Sequence, residues 1–513
     1  MSSCCYGTKT RVIAVTEQRQ DELSSESDWN GINKEFATST SCHGVQYWYT
    51  SKWRCLKVFW IFLVLGFVGV LSYQITLRIQ TYFLYETSTD ISEQFVSYLD
   101  FPAVTVCNFN RYFLNATTSE LTGIYAINQL STSSALAFAS ENNDKRTHDA
   151  LSNLGPDFNV TEYSYRYGFS LNSTVMPRCT FKTEHCSESD FTPIITSLGR
   201  CHTFNEGNIS RTQNIPGSGH GLSMIIDVQQ YLYTEEPLAG IDEAGIKVQV
   251  HPPYEEPDVE TYGVAVPVGQ KAFIEITRVD NGLMYEPWGR CDPSKESLNY
   301  FSTYTLNNCL NECYTNAVVD QCGCRLHTQY WDTEHDECTT LQLFECAAEH
   351  LVAVKQNYSA SDCNCTIPCT FTDYELTVAY ATFPGYTTRN YLVETIRDVD
   401  EEYIKENMVK LEVYFSRMSY RTFKQSKKVD ESGLLSDVGR WTAWIVVWNE
   451  FCYFSGICSV LLSQRILCEI TNTEQKTKEE KKDPKHQWSH YTRLIVIDGV
   501  VIITRLVLSS LLK

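Results

Sequence analysis

The chain has 513 residues, 43% of them hydrophobic and 13% aromatic, which excludes an intrinsically disordered protein. Its formal charge of −20 excludes nucleic acid as a natural partner and gives the exposed surface a field that concentrates cations. With no H-E-x-x-H, no G-x-S-x-G, no phosphate loop and no His or Asp residues at a catalytic spacing, neither an enzyme nor a resident metal or cofactor is expected.

Residues 1–55 are mostly polar and precede the apolar run LKVFWIFLVLGFVGVLSYQITL, Leu56 to Leu77, whose one charge is Lys57 at its edge. This run is long enough to cross about 30 Å of hydrocarbon, so a transmembrane helix is expected over 56–79. It exceeds a signal peptide's apolar region and follows a long polar segment, which makes it an uncleaved anchor. Lys52, Arg54 and Lys57 flank its start against Arg78 near its end, so the N-terminus is placed in the cytosol and residues 80–435 outside the cell. The sequons at Asn115, Asn159, Asn172, Asn208, Asn357 and Asn364 all follow the helix, in keeping with glycosylation outside. Outside is also oxidising. The fourteen cysteines from Cys107 to Cys369 are therefore expected as disulfides, while Cys4, Cys5, Cys42 and Cys55 stay reduced.

Period-two alternation in FPAVTVCNF, AGIKVQVH and FIEITRV predicts half-buried strands, and helical patterns cluster after Pro156 and among the later cysteines. Spacing in that cysteine-rich stretch carries geometry. Cys309 and Cys313, four apart, share one face of a helix about 6 Å apart along its axis. Cys363 and Cys365, two apart, share one face of an extended segment at about 6.6 Å. The matched intervals predict two parallel rungs, Cys309–Cys365 and Cys313–Cys363, with Cys291–Cys369 closing a third. Cys322, Cys324, Cys338 and Cys346 nest inside as a second pair of bridges. Zinc is the competing reading, opposed by the C-x-C spacing and the extracellular side.

FATSTSCHG before the first crossing, then YFLYE, FPAVTVCN, GRCHTFN, GLSMIIDVQQ, EAGIKVQVH, PWGRC, the cysteine ladder and GLLSDVG follow in order from about Phe36 to Gly439. Together they resemble the degenerin and epithelial sodium channel superfamily, and within it the acid-sensing ion channels. The resemblance implies an α+β membrane protein: a large, disulfide-rich, β-based ectodomain of palm, β-ball, finger, thumb (about 291–370) and knuckle, between two transmembrane helices. It implies a plasma-membrane homotrimer, or a heterotrimer with related subunits, embedded in lipid, conducting sodium, blocked by amiloride and opened by protons or another extracellular ligand. It adds the bridges Cys107–Cys201 and Cys179–Cys186, and pairs Cys322 with Cys346 and Cys324 with Cys338. By the same resemblance His43 and Gly44 shape the cytosolic end of the pore, Tyr85 and Trp288 couple thumb to first helix, Ser436 holds a gating position that needs a small residue, and Asp437 stands at the outer pore mouth. An Asp at that point either attracts sodium or caps a helix.

Mild acid is sensed physically by crowded carboxylates. Glu93 and Glu412 hold acidic palm positions, and Glu235, Glu236, Asp242 and Glu243 lie near the finger-facing acidic loop. The family's thumb aspartates, however, fall on Ala348 and Val352, its first-loop histidine on Thr87 and a palm glutamate on Ser416. Proton activation is thus expected to be weak, shifted or absent.

After Gly439 the family pattern breaks. In 436–468, where a pore helix with Gly-x-Ser-x-x-Thr-x-x-Glu is expected, the chain reads RWTAWIVVWNEFCYFSGICSVLLSQRIL, with Asn449 and Glu450 opposing insertion. One allowed codon set for Trp448–Cys458, read one nucleotide later, gives Gly-Met-Ser-Phe-Val-Thr-Phe-Leu-Glu-Phe, which restores the pattern. The tail, 469–513, holds the charge-rich segment Thr473–Lys485 and a second apolar run, 494–512, carrying Asp498 and Arg505.

Overall fold

The computed structural model describes residues 31–39, 45–114, 123, 127, 145–207, 211–234, 243–294, 298–396 and 399–440. His43, Gly44, Asn115, Asn208, Glu235, Glu236, Asp242, the expected second crossing and the run 494–512 lie outside these residues. The chain divides into two compact units, one of Met1–Leu84 with Val429–Lys513 and one of Tyr85–Lys428.

In the first unit, helix α1 spans Arg54–Phe83, 30 residues, four longer at its C-terminal end than the expected crossing. At 1.5 Å per residue it is roughly 45 Å long, enough to pass the hydrocarbon layer and its interfaces. Phe59, Phe62, Leu65, Val68 and Val70 point outward along it, and Trp60 is its one buried residue. An apolar surface that faces away from protein suits lipid. Among the described residues it is the one helix long and apolar enough to cross a membrane.

The second unit is built on two main sheets, beside a two-stranded one that pairs Leu99–Asp100 with Thr212–Gln213. The larger has seven strands, in the order β10 (Thr370–Thr382), β9 (Gln270–Gly282), β11 (Met408–Lys427), β6 (Leu222–Asp227), β3 (Arg178–Phe181) and Glu184–His185, with β1 (Thr87–Phe95) also paired to β11. Strand β11 is long enough to serve two neighbours on one edge: Met408–Val413 pairs with β6 and Ser419–Lys427 with β1, both antiparallel. The smaller sheet runs β8 (Val264–Pro267), β7 (Gly245–His251), β2 (Ala103–Asn108), β5 (Gly199–Phe204) and β4 (Phe191–Thr196), antiparallel throughout.

One apolar cluster joins the sheets, with Val104, Val106, Ile246 and Val248 from the smaller and Met224, Ile274, Ile276 and Leu411 from the larger. Alternation in FIEITRV is realised, since Ala272, Ile274 and Ile276 are buried and their neighbours are not. FPAVTVCNF differs from expectation. All six residues of β2 are buried, because Val104 and Val106 face the cluster between the sheets while Cys107, on the opposite face, packs with Val259 and Tyr330. Its polar Thr105 is satisfied internally by Thr203 Oγ1 and His251 Nε2, each at 2.8 Å.

Beside the sheets stands a disulfide-bonded helical column made of α3 (Leu306–Cys322), residues 340–347 and α4 (Ala348–Asn357). Thr305 caps α3 by accepting from Asn308 N, and Gly323 ends it in the left-handed conformation that lets the chain turn between Cys322 and Cys324. All seven expected bridges are present. The two rungs have equal Cα–Cα spans of 5.8 Å, as parallel rungs require. Cys363 and Cys365 lie in a turn, however, and not on the extended segment expected. Asp362 accepts from Ser359 N and Oγ, and Asn364 takes φ 51°, so a turn presents the two sulfurs on one side at the interval a strand would. With these cysteines all bridged, zinc has no thiolates to bind.

Candidate functional site

Three places collect the expected functional residues. The first opens the second unit. Tyr85 takes φ 51°, an uncommon conformation for a bulky residue, and this strain is held by its surroundings. Its ring meets Trp288 edge to face at 5.2 Å, and the Lys427 ammonium lies 4.0 Å from the centre of the Trp288 ring. Trp288 is fixed by the turn that the PWGRC motif folds: its N–H and that of Gly289 both donate to Tyr285 O at 3.1 Å. Gly289 is obligatory, as a Cβ there would meet Met284 O at 1.7 Å. Met284 N donates to Gln425 Oε1 of β11 at 3.1 Å, and Cys291–Cys369 anchors the turn to the start of β10. Two segments far apart in sequence are thus clamped around one aromatic pair.

Carboxylates occupy the second place, on the larger sheet. Glu93 of β1 is exposed and accepts from Ser419 Oγ at 2.7 Å. Glu412 of β11 is buried and pairs with Lys271 Nζ at 2.7 Å and Lys410 Nζ at 3.6 Å, with Ser218 Oγ also donating to it. Burial works against its charge, yet the hydrogen bonds of Lys271 and Ser218 and the two ammonium charges hold the carboxyl below its ordinary range. Glu412 is therefore a locked carboxylate. Sequence reading missed its partners. Lys410 was within reach, being two residues away on one strand and so on the same face, whereas Lys271 arrives through the parallel pairing of β9 with β11. Glu243, just before β7, is exposed.

Ala348 and Val352, where the resembled family carries aspartates, belong to an apolar cluster with Tyr112, Leu151, Val318 and Leu343. Carboxylates would not be tolerated there without partners.

The third place is in the first unit, where 431–440 is helical. Asp430 caps it by accepting from Gly433 N at 2.7 Å, so Asp437 lies inside the helix and the capping alternative does not apply. Asp437 pairs with Arg78 Nε of α1 at 3.6 Å and with Arg440, which ties α1 to this helix; Ser436 is exposed. Of the sequons, Asn159 and Asn172 are exposed and use Oδ1 to cap backbone, accepting from Glu162 N at 2.6 Å and Thr174 N at 2.9 Å. Asn357 and Asn364 are also exposed. Among the described residues no group of three or more His, Cys, Asp or Glu is arranged to hold a metal ion.

A helix long and apolar enough to cross a membrane and a β-rich unit held by seven bridges fit the class of disulfide-rich proteins anchored in a membrane. A profile of the amiloride-sensitive sodium channel family matches residues 36–441, and the chain belongs to that family. The bile acid-sensitive ion channel of Mus musculus is 33% identical over 424 residues, covering 81% of this chain and 85% of that protein. Acid-sensing ion channel 2 of Homo sapiens is 30% identical, covering 79% and 81%. Acid-sensing ion channel 1 of Gallus gallus is 31% identical, covering 83% and 82%. These relatives are ion channels, not enzymes.

Proposed function

We propose that the chain is a subunit of a trimeric, amiloride-sensitive, sodium-selective cation channel of the plasma membrane, opened by an extracellular ligand. The family match over 36–441 carries this reading. In it the helical column is a thumb, Tyr85 and Trp288 pass its movement to α1, Ser436 and Asp437 border the pore mouth, and His43 and Gly44 shape its cytosolic end. The ligand is not primarily the proton: Glu412 is held ionised by two lysines, and apolar packing occupies 348 and 352. Relatives named for bile acids point to an amphipathic anion as the first ligand to try, with protons second.

A second reading is favoured by one observation, the absence of Gly-x-Ser after Gly439. On it, the polypeptide is a non-conducting, membrane-anchored regulatory subunit that assembles with intact partners through its ectodomain. Two-electrode recording from oocytes expressing the chain alone, with bile acid and pH steps, separates the two. Amiloride-sensitive inward sodium current establishes the first. Silence alone, combined with altered current on co-expression with an intact relative, establishes the second, and silence alone with the relative's current unchanged on co-expression counts against both.

A further inference from the structure

Strand register brings three cations onto one line across the larger sheet. Lys271 of β9 stands opposite Lys410 of β11, Lys410 opposite Ile225 of β6, and Ile225 opposite Arg178, which opens β3 after α2 (Val160–Tyr167). Residues in register on neighbouring strands share a face at about 4.8 Å, which puts the Lys410 backbone about 5 Å from that of Lys271 and about 10 Å from that of Arg178. This face is the outer one, since Ala272, Leu411 and Met224 at the adjoining positions turn into the core between the sheets.

Like charges directly opposite one another destabilise a sheet unless something neutralises them. Glu412 does so in part. Its Oε1 takes both ammonium groups, Lys271 at 2.7 Å and Lys410 at 3.6 Å, so one carboxylate serves two cations. Among the described residues no carboxylate pairs with Arg178. Asp227, two places along β6 from Ile225, is occupied by Tyr403 Oη at 2.9 Å and Gln229 N at 3.0 Å. Glu275 is four residues along β9 from Lys271, about 13 Å away. The line itself therefore holds three cations against one carboxylate. Burial, and after it the Lys271 charge, keep the Lys410 ammonium below its ordinary range; Arg178 adds to this and Glu412 opposes it. Apolar groups adjoin the cations. Ile225, between Lys410 and Arg178, packs with Phe383, Leu392, Ile404 and Met408, and the Lys271 ammonium lies 4.0 Å from the ring centre of the half-buried Phe273.

We propose that this line binds the acidic headgroup of an amphipathic organic anion, held between Arg178 and Lys410, with the apolar body against the aliphatic and aromatic side chains beside them. The proposal rests on the reading above that the channel's ligand is such an anion, and it gives that ligand a place. Arg178 supplies a planar fork that matches a carboxylate or sulfonate, and Lys410 supplies the second charge. Glu412 competes with the headgroup for the two lysines and so tunes its affinity.

The test is equilibrium binding of tritiated taurocholate, below its micellar concentration, to the full chain in phosphatidylcholine nanodiscs, with empty nanodiscs as background. Saturable binding is expected. Arg178→Gln and Lys410→Gln should each weaken it about tenfold by removing one charge-assisted contact, and Arg178→Lys should weaken it less. Glu412→Gln should tighten it, since both lysines are released to the ligand. Variants are compared where each keeps a cooperative melt; should Lys410→Gln or Glu412→Gln lose it, Arg178→Gln, at an exposed position, decides alone. Saturable binding unaltered by Arg178→Gln and Lys410→Gln, or displaced equally well by the uncharged sterol of the same ring system, overturns this site and leaves the reading of an anionic ligand standing. Absence of saturable binding to the unaltered chain overturns both.

Discussion

Parallel rungs should share their stabilising effect, and the size of that sharing can be worked from loop lengths. A lone bridge across the 50 residues between Cys313 and Cys363 would restrict the unfolded chain by about 4.1 kcal/mol. With Cys309–Cys365 intact, however, the inner rung closes a ring of only about eight residues, worth about 2.5 kcal/mol. Cys107–Cys201, separated by 94 residues with no parallel partner, keeps its full value of about 4.7 kcal/mol. For a unit the size of Tyr85–Lys428, roughly 1.4 °C of melting temperature corresponds to each kcal/mol. Replacing Cys313 and Cys363 by Ala should therefore lower the midpoint by about 3.5 °C, against about 6.5 °C for Cys107 with Cys201, where the buried site adds a cavity cost besides. Differential scanning calorimetry of the oxidised full chain in detergent reads both. Equal losses from the two pairs would refute the ladder argument, since each bridge would then be acting as an independent loop.

Glu412→Gln should destabilise the ectodomain by about 2–3 kcal/mol by leaving two lysines short of their partner, read by chemical unfolding at neutral pH. Because Glu412 is held below its ordinary range, its contribution is present above the unfolded carboxyl value of about 4.3 and is lost only as pH falls through the lower folded value, so the same variant should leave any current response between about pH 5 and pH 7 at its original midpoint. Tyr85→Leu and Trp288→Leu in a double-mutant cycle should show a coupling of about 1 kcal/mol in unfolding, together with weakened ligand opening in whichever assembly conducts; a coupling near zero contradicts the clamp. Sequencing the transcript across Asp437–Leu467 should show a shifted frame, and an uninterrupted frame with the printed residues removes that explanation.

Residue spacing carried much of the architecture because local geometry decides it. Four on a helix against two on the facing segment fixed the rungs whether Cys363 and Cys365 sit on a strand or, as found, in a turn. The unbroken apolar run located α1, and period two located β9, since each depends on residues close in sequence. Long-range pairings stayed hidden. That Lys271 neutralises Glu412 follows from a parallel register between strands more than 130 residues apart, and that β2 is covered on its second face follows from a cluster in which Cys107 meets Val259 and Tyr330. Nothing in FPAVTVCNF distinguishes a half-buried strand from a central one whose Thr105 finds partners inside. The Glu256–Tyr330 contact is of the same kind, joining a loop of the smaller sheet to a loop of the column.

The break after Gly439 yields to an argument that leaves the codon table no freedom at three positions. Trp441, Trp444 and Trp448 each have the single codon TGG, and the residues that follow, Thr442, Ile445 and Asn449, have only codons beginning with A. One nucleotide later, all three tryptophans must therefore read GGA, which is glycine. Their spacing becomes Gly-x-x-Gly-x-x-x-Gly, intervals of three and four that place small residues along one face of a helix, where membrane helices approach closely. The third of these glycines is the one that opens the Gly-x-Ser pattern. In the printed frame the same stretch offers three bulky indoles followed by Asn449 and Glu450, a poor surface for helix contact and a costly one for hydrocarbon. A shifted frame accounts for both facts at once, whereas a different pore would need the forced glycines to be coincidence.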